Sequence, residues 1–280
     1  MNVSVGTTAP AEAAAKNGAR LSLGPAFRPH QRVPGGAYAG MVALWTVAAL
    51  LLWITLPAPV PGPGEVLAEL KRLVVEGGLL GDLWTSLALF AEALVLSTAL
   101  SLVFAYLTAV PALRPPVLGL TRARFLSLVG FLFIFTVFLG GGHGLKLALL
   151  TYGITPFLLT SMVDVVASVP AERIDHARTL RMGEWRVLWE VVVLGQLGPT
   201  LDAIRQNAAM GWMMLTMVEG LVRGEGGIGT LLMDQDKHLR LAAVFAIQIV
   251  FLLAGFGQDA FLAWLKRVLA PYSLLTTAER

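Results

Sequence analysis

Long apolar runs with almost no charge are the feature of this sequence that most restricts its fold. Residues 40–57 contain no charged side chain, and residues 241–265 are uncharged as far as Gln258. A helix needs about 20 mostly apolar residues to cross the roughly 30 Å of hydrocarbon in a bilayer. Charged residues form only 14% of the chain, whereas soluble domains average about 25%. The sequence therefore predicts an all-α integral membrane protein and excludes an ordinary soluble domain.

Six segments have the composition of membrane-spanning helices. The fifth is the least regular, because only Gln206 to Val218 is free of charge, and we therefore start it near Pro199. Between the first two spans, residues 65–75 predict an amphipathic helix in the membrane interface or against the bundle. The predicted spans are 40–57, 83–110, 125–140, 145–167, 199–218 and 241–265. They divide the chain into a flexible N-terminal tail (1–39), a transmembrane domain (40–270) and a C-terminal tail (271–280).

Basic residues are concentrated in alternate loops, and this asymmetry predicts the orientation. Residues 1–39 hold four basic side chains and one acidic one, and the loop after the second span holds three arginines and no acidic residue. The loops after the first and fifth spans contain more acidic than basic residues. Because basic loops stay in the cytoplasm, both termini and the loops after spans two and four are expected inside. The net charge of +3 then reports the orientation in the membrane, and no nucleic acid is needed to explain it.

The inside loop at 168–190 stands out because its acidic and basic residues balance. It predicts two short helices, the first capped by Ser168 with Pro170 in its opening turn, and separated from the second by Gly183. An apolar stripe follows at helical spacing, formed by Trp185, Leu188, Trp189 and Val192. Such a surface is typical of docking to a soluble partner or of resting on lipid headgroups. Periodicity alone does not separate these two interpretations.

The run VPAERIDHARTLRMGEWRVLWEVVV…GPTLDAIRQN, from Val169 to Asn207, resembles the cytoplasmic signature loop of ABC importer permeases. Asp175-His176-Ala177 corresponds to the Glu-Ala-Ala triplet of that loop, and Arg178-Thr179-Leu180 follows it. Where the family has a glycine, this sequence has Arg181, with Gly183 two residues later. Gly195 stands where a proline is often found. Over about residues 50–270 the chain resembles the nitrate, sulfonate and taurine branch of these permeases.

This resemblance implies a permease subunit of an ATP-driven importer, with no catalytic activity or cofactor of its own. In the family, the loop forms a coupling helix that docks into a separate ATP-binding-cassette subunit. The other implied partners are an extracytoplasmic solute-binding protein, a second permease copy or paralogue, and membrane lipid. The branch suggests a small anionic solute. The residues assigned to coupling by the resemblance are Glu172, Asp175, His176, Ala177, Arg178, Arg181 and Gly183.

A few polar residues lie inside the predicted spans, where a charge costs about 2.5–3.5 kcal/mol on insertion scales. Glu92 and Arg205 are expected to line a translocation path, and Arg205 suits an anion. Trp212 and Met213 are candidates for the same path. The alternative is that such residues pair with one another or pack, and for Asp164 and Glu219, near the ends of their spans, this alternative is favoured.

Several motifs that would indicate a catalytic or binding site are absent or lack the neighbouring elements they need. This limits the possible functions. Residues 224–229 match G-x-G-x-x-G, but no strand precedes them, and a flexible outer loop is the better interpretation. No phosphate-binding G-x-x-x-x-G-K-[ST] occurs, so ATP must be hydrolysed by another subunit. Absence of cysteine and scattered histidines predict no metal site, and no catalytic nucleophile is apparent. The alternatives left are a proton-coupled transporter using Glu92 and Asp164, an intramembrane enzyme and a membrane scaffold.

Overall fold

The computed structural model describes residues 35–55, 57 and 59–271, and the part of the chain that it describes is helical, with no strand. It divides into two compact units, Met1–Pro63 and Gly64–Arg280. A 3₁₀ turn at Arg122–Phe125 and a π-helix at Leu188–Leu194 accompany eleven α-helices in the described residues. These are α1 (Gly35–Thr55), α2 (Pro63–Val75), α3 (Leu79–Leu107), α4 (Arg114–Thr121), α5 (Leu128–Leu139), α6 (His143–Ala167), α7 (Ala171–Thr179), α8 (Glu184–Val187), α9 (Leu197–Leu221), α10 (Ile228–Lys237) and α11 (Leu241–Leu269).

The first unit is described by α1 and the turn that follows it. α1 begins at Gly35, so the helix includes the last residues of the predicted tail; the remainder of that tail, and residues 272–280 at the other end, lie outside the described residues. The helix is uncharged and mostly exposed on all sides, as expected of a helix whose surroundings are lipid. The Trp53 indole donates a hydrogen bond to the Pro61 carbonyl at 3.1 Å.

In the second unit, α3 and α6 pack side by side and run in the same direction. Ser97 Oγ donates to the Thr151 carbonyl and Ser101 Oγ to the Thr155 carbonyl, each at 3.3 Å. The constant offset in residue number between the partners means that the helices are parallel. Small side chains and interhelical hydrogen bonds are typical of helix contacts in membranes, because they permit close approach without leaving polar groups unsatisfied.

α9 runs opposite to α3, α6 and α11. Asn207 Nδ2 donates to Ser161 Oγ on α6 at 2.9 Å, and near the far end of α9 Glu219 meets Ser86 near the start of α3. These directions agree with the alternating topology predicted from the loop charges. A continuous core fills the space between the helices. Its largest fully buried members include Leu89, Leu149, Leu150, Leu158, Leu159 and Leu215.

In the described part of the chain, four helices are long and apolar enough to cross a membrane alone, or up to six spans exist if each of two bent helix pairs counts as one. The third predicted span differs most from expectation, since α5 has only 12 residues and is about 18 Å long at 1.5 Å per residue. The preceding segment Arg114–Phe125 meets α5 at a bend of 107°. The fifth span, α9, is longer than predicted and bends by 51° from the segment Glu184–Leu194.

The G-x-G-x-x-G segment is held by hydrogen bonds, which corrects its interpretation as a flexible loop. The amides of Ile228 and Gly229 donate to Ser86 Oγ at 2.8 Å and to Glu219 Oε2 at 2.7 Å. Ser86 also donates to Glu219 Oε1 at 2.6 Å. The fully buried Glu219 carboxylate accepts from Gly229 and the Ser86 hydroxyl accepts from Ile228, so the first two amides of α10 are satisfied. α10 itself was not predicted from the sequence. Residues 224–229 form a structured turn at the end of α9.

Lys146 is the second buried ionisable residue of this network. Its side chain is only 2% exposed, and Nζ donates to the Gly226 carbonyl at 2.8 Å. The hydroxyl of Thr230 donates to the Glu219 carbonyl at 2.8 Å. Burying a polar group costs free energy unless it is hydrogen-bonded. Together these bonds tie α3, α6, α9 and α10 at one end of the bundle.

Substituting Gly227 tests this network. Gly227 has a φ of +113°, and a Cβ placed there would lie 2.5 Å from Glu219 Oε1. Gly227→Ala is therefore expected to displace the carboxylate and lower the thermal unfolding midpoint of the detergent-solubilised chain by several degrees. Gly224→Ala is the control, because Gly224 also has positive φ but no atom lies within 4 Å of the added Cβ. Equal effects of the two substitutions would show that the contact with Glu219 contributes nothing.

Candidate functional site

The loop at 168–190 forms a helical hairpin of α7 and α8, but α7 begins later than predicted. Ser168 is the C-cap of α6, and its hydroxyl donates to the Val165 carbonyl at 2.7 Å. Pro170 is the N-cap of α7, with φ −62° and ψ 135°. The prediction that Ser168 caps the first short helix was therefore wrong. A proline at this position fixes the entry of the chain into the helix because its φ is already restricted.

Arg181 makes the turn that ends α7, which corrects the expectation that Gly183 provides it. Arg181 has a φ of +56°, in the left-handed region that costs a side-chain-bearing residue about 1 kcal/mol or more. The Met182 amide reaches back to the Ala177 carbonyl at 3.3 Å, the hydrogen bond of a Schellman C-cap. Gly183 has φ −67° and ψ 151°, which any residue adopts. The arginine thus occupies the conformation that the family's glycine would adopt freely.

Arg178 of α7 links the two helices of the hairpin through an ion pair with Glu184 of α8. Its guanidinium donates to both carboxylate oxygens of Glu184 at 3.0 and 3.1 Å, and to Asp175 at 3.2 Å. The hydrogen bonds and charge of Glu184 raise the pKa of Arg178 above its ordinary value. All three groups are exposed, so the pairs supply geometry more than stability. Asp175 and Arg178, assigned to coupling from the sequence, therefore organise the hairpin itself.

The other coupling candidates divide between the inside and the outside of the hairpin. Ala177 is buried at 4% exposure, and Ile174 is half-buried beside it. Glu172 and His176 are exposed, and neither side chain forms an ion pair among the described residues. Their charge and hydrogen-bonding capacity are thus available to another molecule.

The predicted apolar stripe is split between two sides of the hairpin. Trp185 and Trp189 are 75% and 60% exposed, whereas Val192 is buried and Leu188 is half-buried. The cause is the π-helix at Leu188–Leu194, whose wider turns rotate the following residues relative to an α-helix. The two tryptophans therefore form an exposed apolar patch next to the charged side of α7.

Gly195 allows the π-helix to pass into α9. Its amide donates to the Glu190 carbonyl at 3.1 Å, five residues earlier. A Cβ at this position would lie 2.3 Å from the Val191 carbonyl oxygen, so no larger residue fits without a backbone shift. In the sequence alone, Gly195 is visible only as a departure from the family pattern. Its packing role required the geometry of the π-helix.

Three of the four translocation candidates line one cavity between α9 and α11. Arg205, Trp212 and Met213 are all part of this cavity, whose volume is about 460 Å³. Arg205 forms a two-pronged ion pair with Asp259 of α11, a partner that the sequence analysis did not identify. Trp212 stacks on Phe90 with ring centroids 5.2 Å apart and hydrogen-bonds to Gln258. Met213 is 77% exposed.

Glu92 is separate from that cavity. Its Oε2 lies 2.8 Å from Nε2 of His143, the first residue of α6, and both side chains are about half exposed. Asp164 is exposed near the last turn of α6, about 30 Å further along the helix at 1.5 Å per residue. The two carboxylates of the proton-coupled alternative are therefore far apart. Among the described residues, no group of three or more His, Cys, Asp or Glu could hold a metal ion.

The hairpin turn gives a direct prediction for hydrogen exchange. Arg181→Val is expected to speed amide exchange in α7 and α8 by about tenfold, because a β-branched residue tolerates positive φ poorly. Arg181→Gly removes the conformational strain and is expected to leave exchange unchanged or slower. Gly183→Ala is the control and is expected to have no effect, since no atom lies within 4 Å of its added Cβ. A larger effect at Gly183 than at Arg181 would contradict the assignment of the turn.

Curated relatives match part of the chain. Both are described as bicarbonate transport system permease protein CmpB, from Synechococcus elongatus and from another Synechococcus strain, and each is 26% identical over 110 residues. The match covers 39% of this chain and 40% of the relative, so the chain spans about two fifths of the length of the curated relatives it matches. No protein-family model matches the chain.

Among solved structures, a chain of the MetNI methionine ABC transporter in an inward-facing conformation has a TM-score of 0.61 and 15% sequence identity. The match covers 70% of this chain and 97% of that chain. The resemblance predicted from the sequence is confirmed by these comparisons. The chain is an all-α membrane protein with the fold of an ABC transporter permease, and its sequence is similar to a permease of the bicarbonate transport system.

Proposed function

We propose that this chain is the permease subunit of an ATP-driven importer that passes a small solute across the bacterial inner membrane. The observation that carries this proposal is the hairpin of α7 and α8. The side of the hairpin that faces away from the bundle is exposed, and ion pairs of Arg178 join its two helices. A subunit with no ATP-binding loop of its own needs a surface through which another protein moves it. The hairpin is such a surface, and it continues directly into α9.

Docking of an ATP-binding-cassette subunit is proposed on the exposed side of the hairpin. Glu172 and His176 offer polar contacts, and Trp185 and Trp189 offer large apolar area, a combination typical of energetically important interface residues. Because Arg178 joins α7 to α8, a force on either helix moves both. The π-helix and Gly195 connect the hairpin to α9, so closure of the ATPase would displace the helix that lines the cavity.

The α9–α11 cavity is proposed as part of the translocation path. Gln248, Thr216 and Gln258 add hydrogen-bonding groups to its wall. Asp259 neutralises Arg205, so an anion entering here meets no uncompensated positive charge. A translocation path must bind its solute weakly enough to release it. The neutral pair of Arg205 and Asp259 therefore suits passage of an anion better than tight binding of it. We propose a small oxyanion as the solute, with its selection left to an external binding protein.

A second permease copy is proposed against the same face. The side chains of Arg205 and Asp259 are 41% and 49% exposed in the single chain, although they lie within membrane helices. Exposure of an ion pair to hydrocarbon is costly, and a protein partner or an enclosed aqueous path removes this cost. With the hairpin and both termini in the cytoplasm, α10 faces outward and is available to the binding protein.

Cysteine cross-linking tests the docking proposal, because the chain contains no cysteine and each substitution introduces a unique thiol. In the complex purified from the native membrane, Glu172→Cys and Trp185→Cys are expected to cross-link to an ATP-hydrolysing subunit. Leu67→Cys is the control: Leu67 is 67% exposed but belongs to α2, on the proposed outer side. Cross-linking from Leu67→Cys, or none from the two hairpin positions in an intact complex, would contradict the proposal.

A further inference from the structure

The segment between α3 and α5 carries arginines with no carboxylate partner. Arg114, Arg122 and Arg124 are all exposed. The ion pairs of arginine among the described residues involve Arg72, Arg178, Arg186 and Arg205. No acidic residue occurs anywhere from residue 93 to residue 163. The positive charge of this segment is therefore not neutralised by the nearby chain, in contrast to the balanced hairpin.

The same segment is amphipathic and lies across the direction of α5. Val117 is 3% exposed and fixes α4 against the core. Phe125 and Leu126 are 77% and 55% exposed, and the Arg124 guanidinium carbon lies 5.0 Å from the centre of the Phe125 ring. The bend of 107° between Arg114–Phe125 and α5 directs this segment away from the axis of α5. Exposed apolar side chains beside basic groups are typical of helices in the membrane interface.

We propose that α4 and the following 3₁₀ turn form a docking site for anionic phospholipid headgroups of the cytoplasmic leaflet. The guanidinium group binds phosphate through two parallel hydrogen bonds, and three unpaired groups supply the complementary charge. Leu118, Phe125 and Leu126 belong to the same segment as the arginines. The acyl chains of a lipid cover these apolar side chains, so the segment favours a lipid over a soluble anion. The site rests on the membrane orientation proposed above, but it requires neither the ATPase nor transport.

Lipid binding to the full-length chain in neutral detergent tests the site. Phosphatidylglycerol and phosphatidylcholine are titrated separately, and bound lipid is counted by native mass spectrometry. The wild-type chain is expected to prefer phosphatidylglycerol, and the triple variant Arg114→Gln, Arg122→Gln, Arg124→Gln to lose about 100-fold in affinity for it. A second triple variant with lysine at these positions keeps the charge and is expected to retain binding within about tenfold.

The matched control removes three other exposed arginines that lack ion pairs, as Arg173→Gln, Arg181→Gln, Arg240→Gln. Phosphatidylglycerol binding is expected to survive in this control, and millimolar inorganic phosphate is expected not to displace the lipid from the wild-type chain. Four results would overturn the proposal: unchanged binding in the first glutamine variant, equal loss in the control, equal loss in the lysine variant, or displacement by phosphate alone. A chain that binds phosphatidylglycerol here but captures no ATPase would contradict only the proposed function.

Discussion

Hydrocarbon cannot hydrogen-bond to a peptide group, and the described structure follows from this constraint. Within a bilayer each backbone N–H and C=O must be satisfied by the chain itself, which leaves the α-helix as the available form for a chain of this kind. Two buried serine hydroxyls follow the same constraint, since Ser97 and Ser101 donate to carbonyls of the neighbouring helix. Departures from regular helix are therefore restricted to helix ends. The two polar structures of this chain, the Glu219 network and the hairpin of α7 and α8, both lie at helix ends.

α9 joins those two structures. At one end its Glu219 side chain is buried in the network with Ser86 and the first amides of α10, and at the other end it follows the π-helix and the hairpin. The cavity with Arg205 lies between them. A helix anchored at one end and continuous with an exposed hairpin at the other can transmit a displacement along its length. This arrangement gives a physical reason for the proposed coupling.

The long helices and their directions could be predicted because hydrophobic length and loop charge are local properties of sequence. Among the short helices, α2, α7 and α8 were predicted, but two others were not. α4 and α10 have only 8 and 10 residues, and each begins beside helix-breaking residues, although the Pro115-Pro116 pair was an available sign of a helix start. Asp259 was missed as the partner of Arg205 because the pair joins residues 54 positions apart. Arginine rarely adopts a positive φ, so the conformation of Arg181 could not be predicted from its residue type. It is seen only in the backbone of the hairpin.

The most direct test of the account is the side of the membrane on which each end of α9 lies. Leu239 and Trp185 are 82% and 75% exposed, and the chain has no native cysteine to interfere with labelling. In intact spheroplasts, a membrane-impermeant maleimide is expected to label Leu239→Cys, and to label Trp185→Cys only after the membrane is permeabilised. Labelling of both positions from the same side, or of Trp185→Cys alone from outside, would contradict a transmembrane α9 with a cytoplasmic coupling hairpin.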